Sequence, residues 1–188
     1  MKKLVVALTL CGFAAGASAA PETFIIDQGH TAPRFEYTHL GYSKQVHRFD
    51  KTSGKIVYDR VAKTGSVDIT IDATSVNTGL PLFNQHIQDV DYFDTKKYPT
   101  ITFKSTAVKF DGDKPVAVDG NLTIKGVTRP VTLTVTSFQA MPHPMLKRDA
   151  IGANAVAQIK RSDFNMGKNA PYVSDEVTLS IAMEAVKG

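Results

Sequence analysis

The strongest constraint on this chain is a period-two alternation of apolar and polar residues that recurs along most of its length. In Val67–Asp72 (VDITID), Val67, Ile69 and Ile71 fall on one face and Asp68, Thr70 and Asp72 on the other. VTLTVT (Val131–Thr136) and VTLSIAME (Val177–Glu184) alternate as strictly, and RFEYTHL sets Phe35, Tyr37 and His39 against Arg34, Glu36 and Thr38. TITFKSTAVKF, AVDGNLTIKG and AIGANAVAQIK read as further strands. Successive side chains of a strand point to opposite faces, so these segments are apolar on one side and wet on the other, as in an antiparallel sheet or barrel. Turn chemistry separates them: Asp111-Gly112-Asp113, Lys125-Gly126, and Pro142 with Pro144. The expected fold class is all-β, an antiparallel β-barrel of about eight strands. One short helix is expected over residues 81–90, where Pro81 suits a first helical turn.

The N-terminus reads differently. Lys2 and Lys3 precede an apolar run, and Ala17-Ser18-Ala19 supplies a small-x-small cleavage pattern. These are the parts of a secretory signal peptide, with an apolar run too short to span a bilayer. Cleavage is expected after Ala19, giving a signal over residues 1–19 and a single β-barrel domain over residues 20–188. The only cysteine, Cys11, lies inside the signal, and Leu8-Thr9-Leu10 before it puts a bulky Leu where a lipoprotein signal has a small residue. The mature chain is therefore expected to carry no thiol, disulfide or lipid anchor, and its destination to be the periplasm. Removing Lys2 and Lys3 from 22 basic residues leaves 20 against 18 acidic ones, so the mature charge is near +2. With no basic run or aromatic–basic interleaving, no nucleic-acid partner is expected, and no apolar stretch after the signal is long enough for stable membrane insertion.

There is no G-x-S-x-G, Walker loop or H-E-x-x-H, and no cysteine outside the signal. His86, Asp89, Asp91 and Asp94 lie close together, and His86 and Asp89 share a helical face at a spacing that metals use. Asp91 and Asp94 fall beyond the expected helix, where acidic side chains form turns. The simpler reading is a helix and corner that lay Phe83, Ile87 and Phe93 on the barrel while the acids face water. MPHPM (Met141–Met145) holds copper(I)-type ligands, but a proline-rich loop between strands needs no metal. No catalytic residue, metal or cofactor is assigned.

One strand face is unusual. Ala153, Ala155 and Ala157 are small where other strands supply Phe, Leu, Ile and Val. A closed sheet of about eight strands has room for packed side chains or for one small ligand. Either a ligand or large residues opposite would fill the space these alanines leave.

Several segments together resemble the YceI-like family of secreted bacterial proteins, over essentially all of the mature chain. IIDQGHTAPRFEYTHLGYSKQVHRFDKTSGKI is similar to the family's Asp-x-x-His-Ser opening and its strand ending His-Leu-Gly; VDITIDATSVNTG, VDGNLTIKGVTRPVTL and IKRSDFNMG are similar to later motifs. FNQHIQDVDYFDTKKYPTITFKST is similar to its His-containing helix, corner and following strand. Thr31, Tyr92 and Asn165 depart from the usual Ser, Phe and Gly, and His47-Arg48 stands where the family has a Gly. The resemblance implies a lipocalin-like barrel that binds polyisoprenoid lipids and is not an enzyme. The implied ligand is an isoprenoid lipid, of quinone or polyprenyl phosphate type, held in the lumen by a periplasmic carrier; a homodimer is one option for its assembly. The residues expected along the tail are Phe35, Tyr37, Phe49, Ile69, Ile71, Phe103, Leu122, Leu133, Val135, Ala155 and Phe164. Those expected at the head are His39, Asn84, His86 and Arg161. Ordinary core packing explains each aromatic equally well. Two other classes stay open: an enzyme acting on a lipid head group at the barrel mouth, and a ligand-free structural or stress-linked envelope protein with a filled core.

Overall fold

The computed structural model describes residues 20–188; the expected signal, residues 1–19, lies outside the described residues. In chain order the strands are β1 (Glu22–Ile26), β2 (Arg34–His39), β3 (Ser43–Phe49), β4 (Thr52–Asp59), β5 (Thr64–Asp72) and β6 (Val76–Asn77). They continue with β7 (Thr100–Asp111), β8 (Lys114–Ile124), β9 (Val127–Pro142), β10 (Asp149–Lys160) and β11 (Glu176–Lys187). All pairings between these strands are antiparallel. The order β1-β4-β5-β7-β8-β9-β10-β11 closes on itself because β1 also pairs with β11. Eight strands thus close the barrel, as the alternation implies, and closure leaves no unpaired edge in that ring.

The three remaining strands extend the sheet from the other end of β11. Its last residues pair with β1 (Ile25 opposite Val186), while Leu179 stands opposite Phe35 of β2. Between the two partners the chain makes a 310 turn, Gln28–His30, capped by Asp27, whose Oδ1 accepts the Gly29 N–H at 2.9 Å. Thr31 then stitches the step shut. Its hydroxyl donates to the Glu184 carbonyl (3.2 Å) and accepts the Glu184 N–H (3.1 Å). Pro33 precedes β2, where a missing N–H leaves no ladder bond unmade, and its carbonyl accepts the Phe49 N–H at 3.0 Å.

The buried apolar side chains form two clusters. One gathers Phe24, Ile26, Ile56, Tyr58, Ile151 and Ala185, with Tyr58 stacked on Phe110 (6.2 Å between centroids) and edge-on to Phe138 (5.4 Å). The other, larger cluster includes Phe35, Phe49 and Phe93, whose rings meet at 5.4–5.8 Å. Burying each such side chain contributes roughly 1.5–3 kcal/mol.

The helix is shorter than the sequence implies. α1 runs Pro81–His86, not 81–90. The Ile87 N–H still reaches the Phe83 carbonyl, but Gln88 bonds to Gln85 and Asp89 to His86, which tightens the chain out of the α-helix. The Phe93 N–H then returns to the Ile87 carbonyl at 3.1 Å. That closure turns Ile87 and Phe93, 6% and 8% exposed, onto the barrel together, which a helix continuing to residue 90 does not do.

Candidate ligand-binding lumen

The inward faces of the strands enclose a cavity of about 420 Å³, and most of the larger cluster lines it. That is within the usual size of small-molecule sites, roughly 300–1,000 Å³. Its wall is built by the alternation itself: β5 contributes Val67, Ile69 and Ile71, and β11 contributes Val177, Leu179, Ile181 and Met183. On β10, Ala153 and Ala155 line the space and Ala157, though buried, does not. β9 shifts register opposite Asn154 and Ala155, so the small residues coincide with a local irregularity in the wall.

Of the residues expected along a tail, Phe35, Tyr37, Phe49, Ile69, Ile71, Phe103, Leu122, Leu133, Val135 and Ala155 line the cavity. Phe164 does not. It is 1% exposed in the packed core, on the 310 turn Arg161–Phe164, outside the lumen wall. Of the head candidates, His39, His86 and Arg161 line the cavity and Asn84 does not. The Asn84 Oδ1 accepts from the N–H and hydroxyl of Thr78, both at 2.7 Å, which fastens the chain leading into α1.

Four segments are tied around one end of the lumen. The Leu40 N–H donates to the Tyr172 carbonyl at 2.7 Å. The Lys125 ammonium, on the β8–β9 hairpin, donates to the carbonyls of Val90 (2.6 Å) and Asn165 (3.0 Å). Asp91 pairs with Lys168, and Asn169 Nδ2 donates to the Tyr92 hydroxyl at 3.3 Å. This end is the mouth: His39, His86, Lys168 and Asn169 reach the cavity here and are exposed, whereas the Tyr58 cluster closes the far end.

Arg161 is 9% exposed and its guanidinium is consumed by the loop that carries it. Nε donates to Ser174, Nη1 to Met166 and Lys168, and Nη2 to Val173, all backbone carbonyls at 2.6–3.3 Å. Four of its five N–H donors are therefore engaged, and its role is to shape the mouth. Burial pulls its pKa down, against the opposing charge of Asp175. Beneath α1, the Tyr37 hydroxyl meets His47 Nε2 at 3.1 Å. Loss of water pushes the Tyr37 phenol up and the His47 imidazole down, so both are neutral at pH 7. Among the described residues, the cavity lining includes no carboxylate, serine or cysteine.

The acidic stretch does not converge. His86 and Asp89 stand 3.8 Å apart, and Asp91 is engaged with Lys168. The His143 of MPHPM uses Nδ1 to accept the N–H groups of Met145 (3.2 Å) and Leu146 (3.1 Å), a turn-forming role. Metal-ligand types do meet among the described residues at Asp27, His30 and Glu184. There both Asp27 oxygens are already bonded, to the Gly29 N–H and to His30 Nδ1.

Two buried threonines also stand in the lumen wall: Thr31, where the family has a Ser, and Thr52, to which no motif of the sequence points. The inward row of β4 reads Thr52, Gly54, Ile56, Tyr58, and its first two members break the apolar pattern that marks other strands.

The comparisons with known proteins agree in direction. The YceI-like domain family model matches residues 24–185. Protein YceI of Escherichia coli O157:H7 is 36% identical, over 100% of this chain and 99% of its own length. Among solved structures, BcnA of Burkholderia cenocepacia is 29% identical with a TM-score of 0.72, covering 85% of this chain and 99% of that one. A polyisoprenoid binding domain from Saccharophagus degradans, 19% identical, shares the fold at a TM-score of 0.66 over 90% of this chain and 100% of that one. The family match over nearly all of the described barrel, with relatives above 30% identity along the whole length, places this chain in the YceI-like family.

Proposed function

We propose that this protein is a periplasmic carrier that holds a long isoprenoid lipid, of quinone or polyprenyl phosphate type, in its barrel lumen and catalyses no reaction on it. The observation that carries the reading is a cavity of about 420 Å³ walled by aliphatic and aromatic side chains, with exposed polar groups gathered at one end. An isoprenoid tail is insoluble in water, and burial contributes roughly 0.8 kcal/mol per methylene-sized group. Ten such groups give about 8 kcal/mol before the costs of association, and micromolar binding needs about that much net, so a tail held this tightly buries more than ten of them. The polyisoprenoid binding domain of Saccharophagus degradans adds support at the level of the fold. His39, His86, Lys168 and Asn169 at the mouth are polar groups that a lipid head meets on its way in or out.

Protein purified from periplasmic extract without detergent, then extracted with organic solvent and analysed by mass spectrometry, tests this. The expected result is a stoichiometric lipid whose mass places it in an isoprenoid series. Phospholipid or fatty acid as the only co-purifying species, or none at all in periplasmic material, would overturn it.

A further inference from the structure

Leucine stands at two positions around the mouth that local structure disfavours. Leu40 occupies the tip of the β2–β3 hairpin at φ 50°, beside Gly41 at φ 72°, and the Tyr42 N–H closes the turn on the His39 carbonyl at 3.0 Å. Such a turn suits Asn or Gly, because a bulky side chain is uncommon in the left-handed region. Leu80 occupies the N-cap of α1, where Ser, Thr, Asp or Asn would bond the free N–H groups and leucine cannot. Burial offsets neither cost, since Leu40 and Leu80 are 49% and 64% exposed.

Four more apolar side chains stand in water at the same end. Tyr42, Leu82, Val90 and Tyr172 are 68–89% exposed. Leu40 and Tyr172 are bonded through the backbone, next to His39 and Val173 of the cavity lining. Leu82 precedes Phe83, which lines the cavity and packs on His47 at 5.5 Å, so Leu82 turns away from the barrel. The Val90 carbonyl is held by Lys125, two residues before Tyr92 of the lining. Exposed apolar groups gathered around a lumen opening mark a contact surface.

Charge identifies what meets it. The segments 39–44, 124–127 and 165–174 each carry one lysine, Lys44, Lys125 and Lys168, and no Asp or Glu. The segment 80–98 carries Asp89, Asp91 and Asp94 with Lys96 and Lys97. Five lysines against three aspartates give the rim a net charge of +2, and it stays positive when Glu36, which pairs with Lys44, is counted. Leucines that enter the acyl region, tyrosines at head-group level and lysines facing phosphates suit the surface of an anionic bilayer. A second copy would bring a rim of the same sign against this one.

We propose that the rim of the mouth docks on an anionic phospholipid bilayer, with Leu40, Tyr42, Leu80, Leu82, Val90 and Tyr172 in the interface and the lumen opening onto it. The inference rests on the carrier reading, to which it adds the place where the lipid enters.

Cosedimentation of the purified protein with isoprenoid-free vesicles tests docking apart from lumen loading. Wild type is expected to bind vesicles of phosphatidylethanolamine and phosphatidylglycerol, and to bind less as salt rises or when phosphatidylcholine replaces both lipids. A triple variant, Leu40→Asn with Leu80→Ser and Leu82→Gln, is expected to lose at least about tenfold in vesicle partition. It should melt no lower than wild type, because Asn tolerates the left-handed turn and Ser caps α1. Val61→Ser, at an exposed position of the β4–β5 turn at the closed end, should bind vesicles as wild type does. Wild type that stays in the supernatant overturns the proposal, and so does a triple variant that sediments like wild type. Equal binding to phosphatidylcholine removes the anionic partner, and an equal loss from Val61→Ser removes the rim as the docking site; either overturns it. A wild-type dimer that the triple variant makes monomeric gives the rim to a second copy and overturns it too. Docking on these vesicles by a protein from which no isoprenoid can be extracted would sink the carrier reading and leave the docking surface standing.

Discussion

His47 is held in an aromatic box. Phe35, Tyr37 and Phe83 surround its ring at centroid distances of 5.5 Å, and Nδ1 finds no partner. Burial holds the imidazole below its ordinary pKa, near 6.5. The sign of the consequence is fixed. As pH falls below about 6.5 the unfolded chain takes up a proton that folded His47 refuses, so stability falls with pH in that window. His30 acts with the opposite sign, because its bond to Asp27 raises its pKa, but it is common to wild type and a His47 variant. Chemical denaturation of wild type and His47→Phe at pH 7 and pH 5 isolates the difference. Wild type is expected to lose more stability than the variant between the two pH values; equal losses would show that His47 is solvated or charged in the fold. The box was only partly legible in the sequence. Phe35 and Tyr37 announce themselves by alternation, whereas β3 (SKQVHRF) buries polar His47 and exposes Val46 at 53%, the reverse of the apolar pattern. Asn165 is a parallel case: it stands at φ 56°, a left-handed conformation that asparagine tolerates and that explains a family glycine there.

At the scale of elements, the segment from α1 through the following corner acts as a cover whose hold on the barrel comes from a few apolar side chains. Phe93 meets Phe35 at 5.8 Å and Phe49 at 5.4 Å, and Ile87 is buried beside it in the same cluster. Phe93→Ala is therefore expected to cost about 3–5 kcal/mol in denaturant unfolding. Asp91 pairs with Lys168 in the open, with side chains 48% and 51% exposed, so Asp91→Asn should leave the unfolding midpoint close to wild type. Comparable losses from the two variants would mean that the ion pair and not the aromatic contact secures the cover. Strands with strict alternation, such as β5, β9 and β11, were readable because one face meets the core and the other meets water. β4 was obscured where Thr52 and Gly54 interrupt its inward row, and the helix end was missed because local periodicity does not register the return of Phe93 to Ile87. Gly54 answers to the neighbouring strand, since a Cβ there would lie 2.2 Å from the Asp68 carbonyl oxygen.

For the whole molecule the question is what the closed ring of eight strands encloses. Alternation requires an apolar interior but is indifferent to whether side chains or a ligand fill it, and the small face of β10 left both answers standing. In the fold Ala153 and Ala155 line the cavity, with Ala155 opposite Val135 of β9 and Ile181 of β11. Ala155→Phe places a ring where a lipid tail would lie. A cavity accepts that ring with little strain, while a core filled by protein would be overpacked at a cost of roughly 1–3 kcal/mol. Both lipid binding and thermal stability must be read on delipidated protein, since a ligand bound only to the folded state raises stability by mass action and would mask the comparison. The expected outcome is a melting temperature close to wild type in the lipid-free protein, together with weakened lipid binding and a smaller thermal shift on adding lipid. Lost stability with retained lipid binding would make the β10 face ordinary core and move the binding site out of the lumen.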